Sequence, residues 1–333
     1  MRVLVTGGAG YIGSHTVAAL HRSGHEPIVL DTLEHGHRSA IPGTTLVVGD
    51  AGDRGLVREL LTSEGIEAVI HFAARKSVPE SIADPGLYFA ANVGGSLELL
   101  RAMVDAGVSQ LVLSSTCAVY GTPDESPVRE SSSVGPENPY GESKLIVERM
   151  TRWFEVAHGL RTVVLRYFNA AGAAFDGSNG EDWREAENLV PVVLAVAGGR
   201  RDVLDVYGTD YPTPDGTAIR DYVHVEDLAD AHVRSVEYLA GGGPSVTLNL
   251  GTGRGASVNE VVTAARAATG HAIPTRLAPR RPGDPAAIWA DARLAEETLS
   301  WTPRHDLDAI VSSAWRWHQL HPDGHGPMAR AVA

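Results

Sequence analysis

The chain has 333 residues, of which 43% are hydrophobic and 21% charged, and a formal net charge of -13. That composition allows one large or two fused globular domains; the acidic balance disfavours a nucleic-acid surface, which rests on clustered Lys and Arg. No stretch approaches the roughly 20 apolar residues of a membrane span, and the opening MRVLVTGGAG has too short an apolar run for a secretory signal. A cytoplasmic protein is expected, and the single Cys117, which has no internal disulfide partner, fits a reducing compartment.

Taken in chain order, the apolar runs VLVTG (3–7), PIVLD (27–31), TLVVGD (45–50), AVIHFAA (68–74), QLVLSS (110–115) and TVVLRYFN (162–169) predict buried parallel strands. Polar alternation is lost when both faces of a sheet are covered. Helical patterns alternate with them, in HTVAALHRSG, RGLVRELLTSEG, LELLRAMVDAG and YGESKLIVERMTRWFEVAHG, several closing on Gly. The rhythm predicts an α/β fold with a Rossmann-type, doubly wound parallel sheet. After about residue 169 it gives way to the Gly- and Pro-rich FDGSNG and YGTDYPTPDGTAIRDY, which signal a smaller mixed α/β substrate domain. The expected division is 1–168, with returning segments from about 217–256, for the first domain, and 169–216 with 257–323 for the second. Residues 324–333 are expected to be a frayed tail.

Directly after the first strand comes Gly7-Gly8-Ala9-Gly10-Tyr11-Ile12-Gly13. Glycines there permit a tight turn and close backbone approach, so that a pyrophosphate can sit on the N-terminus of the following helix. Such a motif alone is also an ordinary strand-to-helix turn. Asp31, about 20 residues on at the end of the second strand, strengthens the dinucleotide reading, because its carboxylate can accept from ribose hydroxyls and repels a 2′-phosphate. NAD is therefore the expected cofactor, held in the first domain. Asp50, ending the third strand, can reach adenine or simply close a turn.

Tyr140-Gly-Glu-Ser-Lys144 opens a helix, and a spacing of four residues puts Tyr140 and Lys144 on one face. A phenol titrating near 10 is a poor base, but a neighbouring ammonium favours its ionised form. Ser114-Ser115-Thr116, at the end of the preceding strand, adds a hydroxyl. Base, tuning charge and hydroxyl together suit a secondary alcohol.

The segments VTGGAGYIGSHT, HFAARKSVPES, SSTCAVYG, PYGESK, LRYFNAAGA, RDYVHVEDLADAH and APRRPGDPAAIWAD, spread from residue 1 to about 320, resemble the bacterial-type UDP-galactose 4-epimerase family of extended short-chain dehydrogenases/reductases. The resemblance implies NAD, a UDP-glucose/UDP-galactose substrate and a homodimer. It implies Tyr140 as base, Lys144 on the nicotinamide ribose and Thr116 on the sugar O4. It places the cofactor on Gly7, Gly10, Tyr11, Ile12, Gly13, Asp31, Thr32, Gly36, Asp50, Ala51, Phe72, Ala73, Ala74, Lys76, Asn92 and Phe168. On the UDP-sugar side it carries over Asn169, Asn188, Leu189, Asp205, Val206, Tyr207, Arg220, Arg281, Asp284 and Ile288. The residue types agree: Arg220 and Arg281 offer donors to a diphosphate, and Asp284 can accept from ribose. The implied reaction takes the C4 proton to Tyr140 while NAD accepts hydride, giving a 4-ketosugar that is reduced from its other face.

Related 4,6-dehydratases place Asp-Glu after the active-site Thr, whereas Cys117 and Ala118 stand here. UDP-glucuronate decarboxylases typically carry Glu at the Ala118 position. A non-catalytic NAD-binding protein would often lose the Tyr/Lys pair, which is retained. The 14 histidines, among them His35 and His37, lack a zinc framework, so no metal is expected. The stretch from Asp31 to Asp50 is shorter than in many family members, and Ala51 replaces a larger aliphatic residue. Ile288 is intermediate between the gating residues that restrict and those that admit N-acetylhexosamines, so UDP-N-acetylglucosamine and UDP-pentoses stay open as substrates. Segments 86–106 and 140–158 carry apolar residues on two sides, including Leu97, Leu100, Ile146, Trp153 and Phe154, which predicts a four-helix dimer contact.

Overall fold

Each of the six apolar runs becomes a strand of one sheet in a computed structural model that describes residues 1–184, 186–281 and 283–326. The strands are β1 (Arg2–Thr6), β2 (Glu26–Asp31), β3 (Thr45–Val48), β4 (Ala68–His71), β5 (Gln110–Thr116) and β6 (Arg161–Tyr167). A seventh, β7 (Val246–Leu250), returns from the second half of the chain. The order is β7-β6-β5-β4-β1-β2-β3, all parallel, so the direction of winding reverses between β1 and β4. Ligands of such sheets bind beyond the strand C-termini at that switch point. Register brings Thr6 level with His71, and Thr116 level with Tyr167, along one edge.

The sheet is covered on both faces. Helices α1 (Tyr11–Arg22) and α6 (Val225–Ala240) bury Val17, Leu20, Val233 and Val236 against Val3 and Val5. On the opposite face α2 (Arg54–Ser63), α3 (Gly95–Ala106) and α4 (Pro139–His158) bury Val57, Leu61, Leu99, Met103 and Val147 against Leu4 and Leu111. Alternate strand residues thus serve opposite layers, and each such side chain stabilises the fold by about 1.5–3 kcal/mol. Gly107 and Gly159 end α3 and α4 in the left-handed conformation expected of closing glycines. β3 departs from the expected burial: it is the sheet edge, and Val48 is exposed.

A separate apolar cluster joins α5 (Leu189–Ala197), α7 (Val258–Thr269) and α8 (Leu307–Leu320) to the strand Leu204–Tyr207, which pairs in parallel with the outer strand Thr275–Ala278. A small sheet of Ala256–Ser257, Ile219–Arg220 and Ala287–Ile288 leads back toward the main sheet. The chain does not fray at 324: His325 stacks on His37 and contacts Trp317, and its Nε2 lies 3.0 Å from the Gly180 carbonyl. Residues 327–333 of the expected tail lie outside the described residues. No helix among the described residues is long and apolar enough to cross a membrane.

The apolar surface of α3 and α4 is narrower than expected. Leu100 is buried in the core and Phe154 packs against it, because both point at the sheet rather than away from it. Trp153 and Val156, at 72% and 77% exposure, remain on the outside with Leu97, Phe89 and Ile82.

Candidate active site

The glycine-rich turn is shaped by contacts that leave no room for side chains. Gly7 has φ 71°, and a Cβ there would lie 2.6 Å from the Ala73 nitrogen; one on Gly13 would lie 2.4 Å from the Gly7 carbonyl. Phe72 and Ala73 therefore press directly on the turn. Helix α1 starts at Gly10 without a side-chain cap, so the N–H groups of its first turn, at Tyr11, Ile12 and Gly13, are available to an anion. Asp31 is buried beside them and accepts from the N–H groups of Ala9 and Leu33, both at 2.9 Å. Burial raises its carboxyl, and those two donors oppose the shift. Gly36 packs on that carboxylate, and the N–H of His37 donates to the Ala9 carbonyl. This cradle fits a dinucleotide: open backbone donors for the pyrophosphate, an acid at the strand end, and no Cβ in the way.

Other expected cofactor residues have protein partners. Asn92 is buried with its amide fully engaged: Oδ1 accepts from Arg75 N–H, and Nδ2 donates to the Arg75 carbonyl and Ser143 Oγ. It holds the 72–77 loop against α4 rather than presenting a free amide. Thr32 is exposed and caps Glu34, while Asp50 is exposed and accepts from Gly52 N–H at 2.8 Å; Ala51 is buried in the core. Ala74 and Lys76 are exposed, and Lys76 Nζ lies 3.6 Å from Glu181. Tyr11 donates its hydroxyl to the Gly172 carbonyl at 2.6 Å, tying α1 to the second region.

At the end of β5 the polar side chains converge. Pro139 opens α4, Asn138 caps it through Gly141 N–H, and Tyr140 and Lys144 follow on one face. Lys144 is buried and donates through Nζ to the Ser114 carbonyl at 3.0 Å. Burial pushes this ammonium down to about 8, opposed by Glu148 one turn further on. Burial raises the Tyr140 phenol to about 12, and a hydrogen bond with the Thr116 side chain lowers it. Tyr140 is thus hydrogen-bonded with Thr116, while Lys144 Nζ is held by the Ser114 carbonyl one helical turn away. Thr116 Oγ1 also accepts from Ala118 N–H at 3.1 Å, starting the turn Cys117–Tyr120. Cys117 is pushed up to about 12 by burial, partly offset by the charge of Arg220, and stays a thiol.

The phosphate side is built from the second region. Arg220 lies on the short strand paired with Ala287–Ile288; it donates to the Ile219 and Pro285 carbonyls and sits 3.4 Å from Asp284. Arg281 stacks over the Tyr207 ring at 3.9 Å. Asn169 donates its N–H to the Asp221 carbonyl, and Asn188 at the start of α5 donates to Glu181, with Leu189 next to it. Ile288 is buried with Phe168, Leu145 and Tyr120, and Cys117 packs on the same cluster. Two expectations need correction. The Val206 side chain points into the core of the second region, because neighbours on a strand face opposite sides. Asp205 is engaged by Arg276 in a two-pronged pair at 2.7 and 3.1 Å.

The sequence reading missed the role of the Ser114 backbone and the residue Glu181. Ser114 contributes a backbone carbonyl, which no residue type signals, and the buried Glu181 joins Lys76 to Asn188. Arg75 bridges to Glu34 of the Asp31–Gly36 loop at 2.5 Å. Arg75 lies inside the stretch from Phe72 to Lys76 that the resemblance assigns to the cofactor; Glu181 had no signal.

A glycine-cradled parallel sheet with a Tyr/Lys helix at its edge defines a class, and the chain belongs to the NAD dependent epimerase/dehydratase family, whose model matches residues 3–251. Within that class its full-length likeness is to UDP-glucose 4-epimerases. The enzyme of that name from Lacticaseibacillus casei is 48% identical over 328 residues, covering 98% of this chain and 99% of the relative. The crystal structure of UDP-glucose-4-epimerase from Stenotrophomonas maltophila, with bound NAD and formylated UDP-arabinopyranose, superposes with a TM-score of 0.94 at 44% identity, covering 97% of this chain and 99% of that one. That from Bifidobacterium longum, in complex with NAD+ and UDP, gives 0.92 at 40% identity, covering 97% and 100%.

Proposed function

We propose that this protein is an NAD-dependent UDP-glucose 4-epimerase that interconverts UDP-glucose and UDP-galactose. The observation that carries the reading is the placement of Tyr140 and Lys144 one helical turn apart against the Ser114–Thr116 strand end. Likeness over nearly the whole chain to enzymes of that name supports it. NAD is held by the first turn of α1, by Asp31 with the loop to Gly36, by Asp50 and by Phe72 to Lys76; 1–168 with 217–256 form its domain. It supplies the hydride acceptor and donor, and a positive charge that favours the phenolate. Residues 169–216 and 257–323 hold the UDP-sugar, with Arg220 and Arg281 on the diphosphate and Asp284 on ribose.

Tyr140 Oη takes the proton of the C4 hydroxyl while Thr116 Oγ1 holds that oxygen in place. The Lys144 ammonium favours the ionised phenol and orients the ribose. After the 4-ketosugar turns its other face, Tyr140 returns the same proton, so the reaction has no net redox change. Ala118 has no ionisable group and Cys117 stays protonated, so neither provides the acid and base that water elimination from the sugar requires. The size of Ile288, buried beside Cys117, leaves UDP-N-acetylglucosamine and UDP-pentoses as further substrates of the same chemistry.

The exposed Trp153, Val156 and Leu97, with Phe89 in the segment leading into α3, favour a homodimer through α3 and α4. A cytoplasmic setting accords with the single thiol of Cys117. The test is to incubate purified protein with UDP-galactose and no added NAD, following UDP-glucose by NMR and mass by sedimentation. Conversion by a dimer, with no NADH accumulating, is expected. Stoichiometric NADH release means an ordinary dehydrogenase, and a monomer at micromolar concentration removes the dimer.

A further inference from the structure

One turn below Lys144, on the same face of α4, Glu148 is buried with its carboxylate saturated. Oε1 accepts from Ser115 Oγ at 2.5 Å and Arg166 Nε at 2.9 Å, and Oε2 accepts from the other arm of Arg166 at 2.6 Å. Both side chains of the ion pair are only 5% exposed. Arg166 continues to the Tyr120 hydroxyl at 3.0 Å, which donates to Asn249 Oδ1 at 2.7 Å. The network therefore joins α4, β5, β6, β7 and the turn that carries Cys117.

Buried ion pairs contribute little net stability, and apolar replacements of similar volume are often neutral or stabilising. This pair has another use available to it, because of where Ser115 stands. Its neighbours are Ser114, whose carbonyl receives Lys144 Nζ, and Thr116, which reaches Tyr140. Three neighbouring strand residues thus each hold one of Lys144, Glu148 and Tyr140, which stand a turn apart on the catalytic helix.

We propose that Glu148 is a positioning residue for the epimerase reaction: by clamping α4 to Ser115 and Arg166 it seats Lys144 and Tyr140 at the end of β5 and supplies the counter-charge to the Lys144 ammonium. The proposal rests on the assignment of Tyr140 and Lys144 above. The groups facing Lys144 agree with it. From β5 comes the Ser114 carbonyl; from β4 comes His71, which burial and the Lys144 charge push down to about 3, leaving it neutral. From α4 itself come Tyr140, whose phenol burial raises and the Thr116 hydrogen bond lowers, and Glu148; Arg166 from β6 stands behind Glu148, paired to it. Glu148 is the anion opposing the burial that lowers Lys144. Without it Lys144 loses its proton at lower pH, so activity that needs the cation falls earlier on the alkaline side.

The experiment compares holoenzymes carrying Glu148→Gln and the double change Glu148→Gln with Arg166→Met, which leaves no unmatched guanidinium behind the helix. The double variant should fold, keep NAD and hold KM within about threefold, since the clamp does not touch substrate. Its kcat should fall roughly tenfold near neutrality, with the alkaline limb displaced acidward by about one pH unit. A kcat–pH profile that superimposes on wild type overturns the proposal. Where neither neutral variant folds, Glu148→Asp decides: lowered kcat with an unshifted alkaline limb supports the clamp, and wild-type kcat contradicts it. Tyr140→Phe run alongside separates the two layers. If that variant is fully active, the assignment of the base fails; if it is inactive while the Glu148 profiles match wild type, only the present proposal fails.

Discussion

The two sides of the site are built on opposite terms. On the main-sheet side the groups are buried and few: Lys144 on the Ser114 carbonyl and Tyr140 with Thr116 at the end of β5, and Asp31 on two backbone donors at the end of β2. On the phosphate side, Arg281, Asp284 and Asn188 are exposed, and Arg220 and Asp205 are paired within the second region. Burial governs protonation, because it penalises the charged form; exposure leaves charges free to meet an anion but worth less each. The first side is thus suited to moving a proton and the second to holding a diphosphate.

The largest effect that sharpens this contrast is Lys144→Met, which removes a buried cation from the catalytic edge. It should lower kcat about 10²–10⁴-fold while leaving KM nearly unchanged, as measured in steady-state assays with UDP-galactose. Because burial lowers Lys144 to about 8, wild-type activity that needs the ammonium is full below that pH and lost as the pH rises above it, as a kcat–pH profile would show. A smaller effect is expected at Arg281→Ala. Losing one charged donor to a diphosphate costs about 1.5–3 kcal/mol, which raises KM about tenfold or more at constant kcat. The smallest is Asp205→Asn, which breaks a surface pair with Arg276 and should leave KM within a factor of about three. If Asp205→Asn raised KM as much as Arg281→Ala, Asp205 would belong to the binding face after all.

The sheet was legible because parallel strands covered on both faces read as apolar runs, and the six in the first half of the chain fall where the runs stand. β7 was harder, since VTLNL is short and lies among glycines, with its register set only by pairing to β6. Glycine motif, Asp31 and the Tyr/Lys pair were legible through fixed spacing on one element each. What spacing could not show was orientation across elements. Asn92 turned inward to Arg75 and Ser143, Val206 fell on the core side of its strand, and His325 continued the packed chain past 324. Nor does any local pattern reveal that Glu148, an ordinary helix glutamate by sequence, meets an arginine 18 residues away on β6.

The most direct test of the central claim, that the Tyr140 oxygen carries the C4 proton, is turnover of Tyr140→Phe purified with its own cofactor. Retained NAD, unchanged melting temperature and a loss of kcat of about 10²–10⁴-fold are the results expected. Turnover at the wild-type rate, with the cofactor still bound, contradicts it.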